Sequence, residues 1–124
     1  MSDLLYSIRV TIDKDGLQQS YASTAQTSSM AISGLMSVTL DLATATEQIS
    51  TVTMTTLGLC VARSLVTDTT GTTIVSFGRL SGTTLFESVR LEPGEMNLFR
   101  MAPGNYAAKA NVNDARLLIT IFED

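Results

Sequence analysis

The feature of this sequence that most constrains its fold is a period-2 alternation of apolar and polar residues, repeated in short segments along the chain. The clearest segments are residues 4–13, 36–42, 85–91 and 115–122. Successive side chains of a β-strand point to opposite faces of a sheet, so the alternation predicts strands with one apolar face. The first segment, a predicted half-buried strand, groups five apolar side chains on one face: Leu4, Tyr6, Ile8, Val10 and Ile12.

Turn-forming residues separate these segments at intervals of roughly ten residues, as in all-β domains. The strongest is Glu92-Pro93-Gly94-Glu95, which predicts a type II turn because Pro93 presets φ and Gly94 accepts a positive φ. Asp13-Lys14-Asp15-Gly16 predicts a second turn. We therefore predict an all-β, single-domain β-sandwich or jelly roll of eight or nine short antiparallel strands over residues 1–124, with a small barrel as the alternative.

Composition excludes several functions. The chain has no histidine, and 31 of its 124 residues are Ser or Thr. Catalysis by Ser-His-Asp or Cys-His and a His-ligated metal site are thereby excluded. The net charge of -4 argues against nucleic acid as a partner, and without an 18-residue apolar run we expect no membrane span. The N-terminal residues lack the pattern of a secretory signal, and we expect no cofactor.

Three side-chain groups offer candidate chemistry, each with a plainer alternative. Cys60 lies in the apolar run 57–62, which favours a small buried hydrophobe over a thiol activated by Arg63. Asp13-x-Asp15-Gly16 is the start of a calcium-loop pattern, but Thr24 stands where the loop needs a glutamate. The glutamates near the 92–95 turn, including Glu87, are expected to be solvated.

The charge distribution suggests a surface that binds protein. Between Gly16 and Ala62 there is no Lys or Arg, and the only acids are Asp41 and Glu47. Low charge and small side chains suit a protein–protein contact. The segments 18–28 and 43–56 are therefore the predicted contacts, represented by Gln18, Ser20, Thr24, Thr51 and Thr53. The alternative is that these Thr/Ser-rich segments are ordinary solvent-exposed strand faces and that the contact uses strand-borne arginines, represented by Arg79 and Arg90.

The whole chain resembles small virion proteins of tailed bacteriophages, in particular capsid decoration (cement) proteins. The resemblance is carried by the neutral Thr/Ser-rich first half and by three runs: Leu57–Leu65, Leu91–Glu95 and Met101–Tyr106. It implies a non-enzymatic β-sandwich or jelly roll, often trimeric, that binds the major capsid protein lattice on the outside of the head. Such a protein is made in the host bacterial cytoplasm and ends on the virion surface. The alternatives are a tail or head–tail connector component and a carbohydrate- or cell-surface-binding β module.

Overall fold

The structure, a computed structural model, describes residues 4–28, 30, 34–51, 54, 56–67 and 72–123. These residues form twelve β-strands, all paired antiparallel, and no helix, so the all-β fold class is confirmed. The chain divides into two compact units, Met1–Ala31 and Ile32–Asp124. The prediction of a single domain over residues 1–124 stays a prediction.

The first unit is a two-stranded β-ribbon of residues 4–28, called the ribbon below. Its strands are β1 (Leu4–Tyr6), β2 (Arg9–Lys14), β3 (Leu17–Ala22) and β4 (Gln26–Ser28), with β2 paired to β3 and β1 to β4. Between the two pairs, residues 7–8 face residues 23–25, and the extra residue makes a β-bulge. Ser23 bridges it: its N–H donates to the Ile8 carbonyl at 2.9 Å, and its Oγ accepts from the Ile8 N–H at 3.0 Å.

The tip of the ribbon is the turn predicted at residues 13–16. β2 and β3 are joined by the two residues Asp15 and Gly16, whose φ angles are 49° and 85°. Two positive φ values define a type I′ turn, in which Asp-Gly is a preferred pair because its twist matches that of the strands. The local sequence therefore fixes the register of the ribbon.

The second unit is an eight-stranded jelly roll. Its strands are β5 (Leu35–Leu42), β6 (Glu47–Ile49), β7 (Leu59–Ser64), β8 (Val75–Ser81), β9 (Thr84–Leu91), β10 (Met96–Arg100), β11 (Tyr106–Ala110) and β12 (Ala115–Phe122). Sheet I has the order β10-β7-β12-β5, and sheet II the order β6-β11-β8-β9. The first strand pairs with the last, the second with the seventh, the third with the sixth and the fourth with the fifth. This nested pairing is the two-sheet jelly-roll arrangement, one of the two predicted architectures.

The core lies between the inner faces of the two sheets. Sheet I contributes Cys60, Ala62 and alternate residues of β12, while sheet II contributes Val75, Phe77, Ala108 and Ala110. Phe77 contacts Phe99 of sheet I, with ring centroids 5.4 Å apart, and stacks on Tyr106 at 5.7 Å. These ring contacts join the sheets, because Phe77 and Phe99 belong to opposite layers.

Several local predictions are wrong. The strand predicted within residues 4–13 is two strands, and every residue of β2 is exposed rather than half-buried. The predicted contact segment 43–56 includes β6 at Glu47–Ile49 and has no strand among its described residues after Ile49. The strand β11, Tyr106–Ala110, was not predicted because Ala and Lys have low β-propensity. With β1 and β4 as separate short strands, the total is twelve rather than eight or nine.

A β-bulge in sheet II explains why Glu87 departs from the alternation of β9. The register between β8 and β9 shifts between Phe77 and Gly78, so that Phe77 faces Val89 whereas Gly78 faces Glu87. A Cβ on Gly78 would overlap the Phe86 carbonyl oxygen. The close approach requires glycine at this position, and the shift turns the Glu87 side chain to the outer face, beside Arg90.

Candidate protein-contact surfaces

Gln18 and Ser20 lie together on one face of the ribbon. The register pairs Asp13 with Gln18 and Thr11 with Ser20, and directly opposite residues of an antiparallel pair share a face. All four are exposed and border an open depression of about 330 Å³. Gln18 Nε2 donates to Asp13 Oδ1 at 3.5 Å. Two of the predicted contact residues therefore form one surface of hydroxyl, amide and carboxylate groups, called the polar face of the ribbon below.

The opposite face of the ribbon is apolar, and it was not singled out as a contact from the sequence. Val10 is opposite Tyr21, and Lys14 is opposite Leu17. This face carries the exposed apolar side chains of Ile8, Val10, Ile12, Leu17 and Tyr21 together with Lys14 and Gln19, and it is called the apolar face of the ribbon. The alternation of residues 4–13 predicted this face, but its exposure depends on the absence of a covering layer, which alternation does not reveal.

Thr24 lies in the bulge of the ribbon and is exposed. Gln26 Nε2 donates to the Thr24 carbonyl and lies at the same distance, 3.4 Å, from its hydroxyl. Thr24 is therefore placed in the same unit as Gln18 and Ser20, but beside a turn of the backbone rather than on a regular strand.

Thr51 lies in the jelly roll, where it is half-buried in a cleft of about 330 Å³ lined by Gln48, Ser50 and Asn105 as well. All four lining side chains are neutral and polar. In the second unit, this cleft is the neutral surface that contains a predicted contact residue, Thr51. Thr53, the fifth predicted residue of the threonine-rich segments, lies outside the described residues.

Arg79 packs on the turn that also contributes Asn105 to this cleft. Its guanidinium carbon lies 5.6 Å from the centroid of the Tyr106 ring, and the side chain covers Gly104. The Tyr106 hydroxyl donates to the Ala102 carbonyl at 2.6 Å, which holds the ring in place. Arg79 is therefore part of the packing around the turn, although its own surface is exposed, and it is not an isolated strand-borne cation.

Arg90 lies elsewhere, in a groove of about 360 Å³ on the outer face of sheet II. Ser76 is opposite both Arg90 and Lys109, so the three residues form one row across the sheet. Arg90 Nε donates to Glu87 Oε1. This hydrogen bond and a second from Ser76 hold the pKa of Glu87 below its usual range. The groove is lined by Thr44, Ile74, Ser76, Glu87, Arg90, Lys109, Ala110 and Asn111.

The Asn111 side chain closes one end of this groove and is already engaged. Its Oδ1 accepts from the Ile74 N–H at 2.9 Å, and its Nδ2 donates to the Thr72 carbonyl at 2.7 Å. Together with the Glu87–Arg90 pair, these bonds engage three of the polar side chains that line the groove within the chain itself. Arg79 and Arg90 thus belong to two separate surfaces.

Cys60 is fully buried in the core, as predicted. Burial raises the pKa of its thiol from 9.0 to about 12, because the thiolate loses its hydration. In the folded protein at neutral pH, Cys60 is a protonated core residue.

Other searches of the described residues give little further chemistry. No group of three or more metal-ligating His, Cys, Asp or Glu side chains occurs among them. No helix in this part of the chain is long and apolar enough to span a membrane. Every buried side-chain nitrogen or oxygen that the structure describes has a hydrogen-bond partner. Comparison with known proteins finds no matching family model, no similar curated protein and no similar solved structure.

Proposed function

We propose that this chain is a non-enzymatic virion structural protein, most specifically a capsid decoration protein that binds the outside of a phage head and stabilises it. The observation that carries the proposal is the polar face of the ribbon. Gln18 and Ser20 lie there beside Thr11 and Asp13, in an exposed polar surface on a two-stranded element that has no core of its own. Such an element gains stability when a partner covers it, because an isolated hairpin is marginally stable in water.

The chemistry of this surface suits a protein lattice. Hydroxyl and amide groups are less unfavourable to desolvate than charges, and backbone or side-chain partners on another protein can satisfy them. The neutral cleft around Thr51 offers a second surface of the same kind. Contacts of this composition are directed by shape and hydrogen bonding, so attachment should be only modestly sensitive to salt.

The proposal includes a homo-oligomer, with a trimer favoured, located on the capsid surface after synthesis in the host bacterial cytoplasm. A symmetric oligomer would engage several lattice sites at once. Weak individual contacts then add up, because each further contact forms at high effective concentration. This gain is what a protein that braces a capsid requires.

Co-sedimentation of the purified protein with heads that lack it tests the proposal. Gln18→Lys with Ser20→Lys, and separately Thr51→Lys, should reduce attachment at least tenfold, because each adds a long charged side chain that must be desolvated in the contact. Thr84→Lys is the matched control, since Thr84 is an exposed hydroxyl residue outside both segments. Arg90→Ala should leave attachment within twofold of the wild type.

The opposite pattern would reject this assignment of the surface. If Arg90→Ala abolishes attachment while the Gln18, Ser20 and Thr51 variants bind normally, the groove of sheet II is the contact. If the wild-type protein does not co-sediment with heads at any concentration, the decoration function itself is wrong.

A further inference from the structure

The tip of the ribbon contains a peptide bond that is open to a reaction within the chain, the bond between Asp15 and Gly16. In flexible peptides, the nitrogen of a glycine that follows an aspartate attacks the aspartate carboxyl. Both residues are exposed here, and a Cβ placed on Gly16 would meet no other atom within 4 Å. No side chain therefore hinders the approach of the Gly16 nitrogen to the Asp15 carboxyl carbon.

The ribbon also permits the rotation that this approach requires. Ring closure turns the peptide about the Cα–C bond of Asp15, so the type I′ turn has to open. Every residue of β2 and β3 is exposed, and an isolated two-stranded ribbon is marginally stable in water. Local opening of such an element requires little free energy. The reactive conformation is therefore accessible without unfolding of the jelly roll.

We propose that Asp15 is a site of spontaneous isoaspartate formation. The Gly16 nitrogen attacks the carbon of the protonated Asp15 carboxyl and gives up its proton, and the carboxyl gives up a hydroxyl, so that one water molecule leaves and a five-membered succinimide forms. Water then adds to one of the two ring carbonyls. Opening at the backbone carbonyl gives isoaspartate, in which the chain runs through the side-chain carbons, whereas opening at the other carbonyl restores aspartate. The mass is unchanged, and water is the only co-reactant.

Isoaspartate at residue 15 lengthens the turn by one backbone atom. The register of a hairpin depends on the type and length of its loop, and this loop has only two residues. Lys14 can then no longer lie opposite Leu17 in the type I′ geometry, and no core holds β2 against β3. The pairing is therefore lost from the tip inward, which also separates Gln18 from Asp13 on the polar face.

Two other aspartates provide comparisons within the same chain, in which Asp-Gly occurs once. Asp13 lies on a strand and is followed by Lys14. Asp114 has a positive φ of 62° and is exposed, like Asp15, but the next residue is Ala115, which is 2% exposed at the start of β12. A positive φ and exposure are thus common to Asp114 and Asp15, whereas the following glycine and the absence of a core distinguish Asp15.

Peptide mapping of protein that has been aged for weeks at mildly acidic pH tests the site. Chymotryptic cleavage after Tyr6 and Leu17 places Asp13 and Asp15 in one peptide, in which electron-transfer fragmentation distinguishes isoaspartate from aspartate. We expect isoaspartate to accumulate at residue 15. At Asp13 and Asp114 it should stay at the level of the freshly purified protein.

Gly16→Asn is the matched variant. Asparagine also accepts a positive φ, but its side chain crowds the attacking nitrogen, so isoaspartate at residue 15 should form about fivefold more slowly. Equal accumulation at Asp13 and Asp15, an unchanged rate in Gly16→Asn, or no isoaspartate at residue 15 after weeks would reject the site.

Nuclear magnetic resonance of the aged form, separated by ion-exchange chromatography, tests the loss of pairing. Cross-strand Overhauser effects between β2 and β3 should disappear, while those that join β12 to β5 and β7 should persist. Persistence of the β2–β3 effects in protein that contains isoaspartate at residue 15 would show that the register survives. None of these results depends on attachment to heads, so this inference and the proposed function fail independently.

Discussion

Single residues fix the local geometry of the jelly roll, and Gly78 is the clearest case. It permits the register shift that turns Glu87 outward and brings it to Arg90. The sequence contained a sign of this, because Glu87 interrupts an otherwise apolar strand face. The shift itself was not predictable, since it depends on how closely the backbone of β9 approaches β8.

Gly78→Ala should lower the free energy of unfolding by roughly 2–3 kcal/mol, because the added methyl overlaps the Phe86 carbonyl and the strands must move apart. Urea titration measures the change. Ser81→Ala, at an exposed position of the same strand, is the control and should change stability by less than about 0.5 kcal/mol. Equal stability of the two variants would show that the bulge relaxes without strain.

Cys60 makes stability depend on alkaline pH. The folded thiol has a pKa of about 12, whereas the ordinary pKa of an exposed thiol is 9.0. Between these values the unfolded chain releases a proton that the folded chain retains. The stability from burying the neutral thiol is therefore complete below pH 9 and is lost as the pH rises towards 12, by up to about 1.4 kcal/mol per pH unit.

Urea titrations at several pH values, compared with Cys60→Ala, isolate this contribution, because all other titrating groups are common to both proteins. The slope of stability against pH above 9 should be shallower in the variant. In the same range of pH, native Cys60 should react with a thiol reagent only at the rate of unfolding. Identical slopes together with rapid labelling would place Cys60 in contact with solvent.

Arg79 stabilises the turn before β11 through the Tyr106 ring. Arg79→Ala should therefore lower stability by about 0.5–1 kcal/mol, while Arg90→Ala, which breaks an exposed ion pair, should lower it by less. Arg79→Lys should recover part of the loss. Thermal unfolding at matched pH and salt measures all three variants, and a larger effect of Arg90→Ala would reverse the assignment of the two arginines.

At the scale of elements, predictability followed the strength of the local signal. The turn at Glu92–Glu95 is confirmed by the Glu95 N–H to Glu92 carbonyl bond at 3.0 Å and the φ of 79° at Gly94. The strand over residues 115–122 matches β12 at both ends. β11 escaped prediction although four of its five residues are buried, because its small side chains are chosen by the space in the core rather than by propensity.

The candidate site was predictable only in part. Gln18 and Ser20 were identified from low charge alone, and the two-residue spacing that puts them on one strand face is visible in the sequence. The groove around Arg90 was not predictable, because Lys109 and Asn111 reach it from strands and loops that are distant in sequence. Arg79 was predicted as a contact residue because it lies within a strand. Its packing on Tyr106 was not predictable, since it depends on the long-range pairing of β8 with β11.

The ribbon and the jelly roll should differ sharply in hydrogen exchange. All twelve residues of β2 and β3 are exposed, whereas β7, β11 and β12 carry most of the core. Amides of the ribbon should therefore exchange by local opening, at least a hundredfold faster than those of β12 in the dissociated protein. Gly16→Val, which disfavours the type I′ turn, should speed exchange in residues 9–22 and leave β12 unchanged. Equal protection in both units would contradict this division.

At the scale of the whole molecule, the described residues comprise a jelly roll and a ribbon with two different faces. The polar face of the ribbon contains Gln18 and Ser20, two of the predicted contact residues. Gln18, Ser20 and Thr51 all lie in the Thr/Ser-rich part of the sequence between Gly16 and Ala62, which carries few charges. Under the proposed function, these side chains supply surfaces that a partner protein would cover at a low desolvation penalty.

The proposal that this chain decorates a phage head is tested most directly by an electron cryomicroscopy reconstruction of phage particles purified from the source of this sequence. We predict density for the jelly roll on the outer surface of the head, at a fixed position relative to the capsid subunits, with the polar face of the ribbon against the lattice. Heads that lack the protein should lose this density and should regain it when the purified protein is added. Particles whose outer head surface carries no such density, or in which the protein lies only in the tail or is absent, would contradict the account.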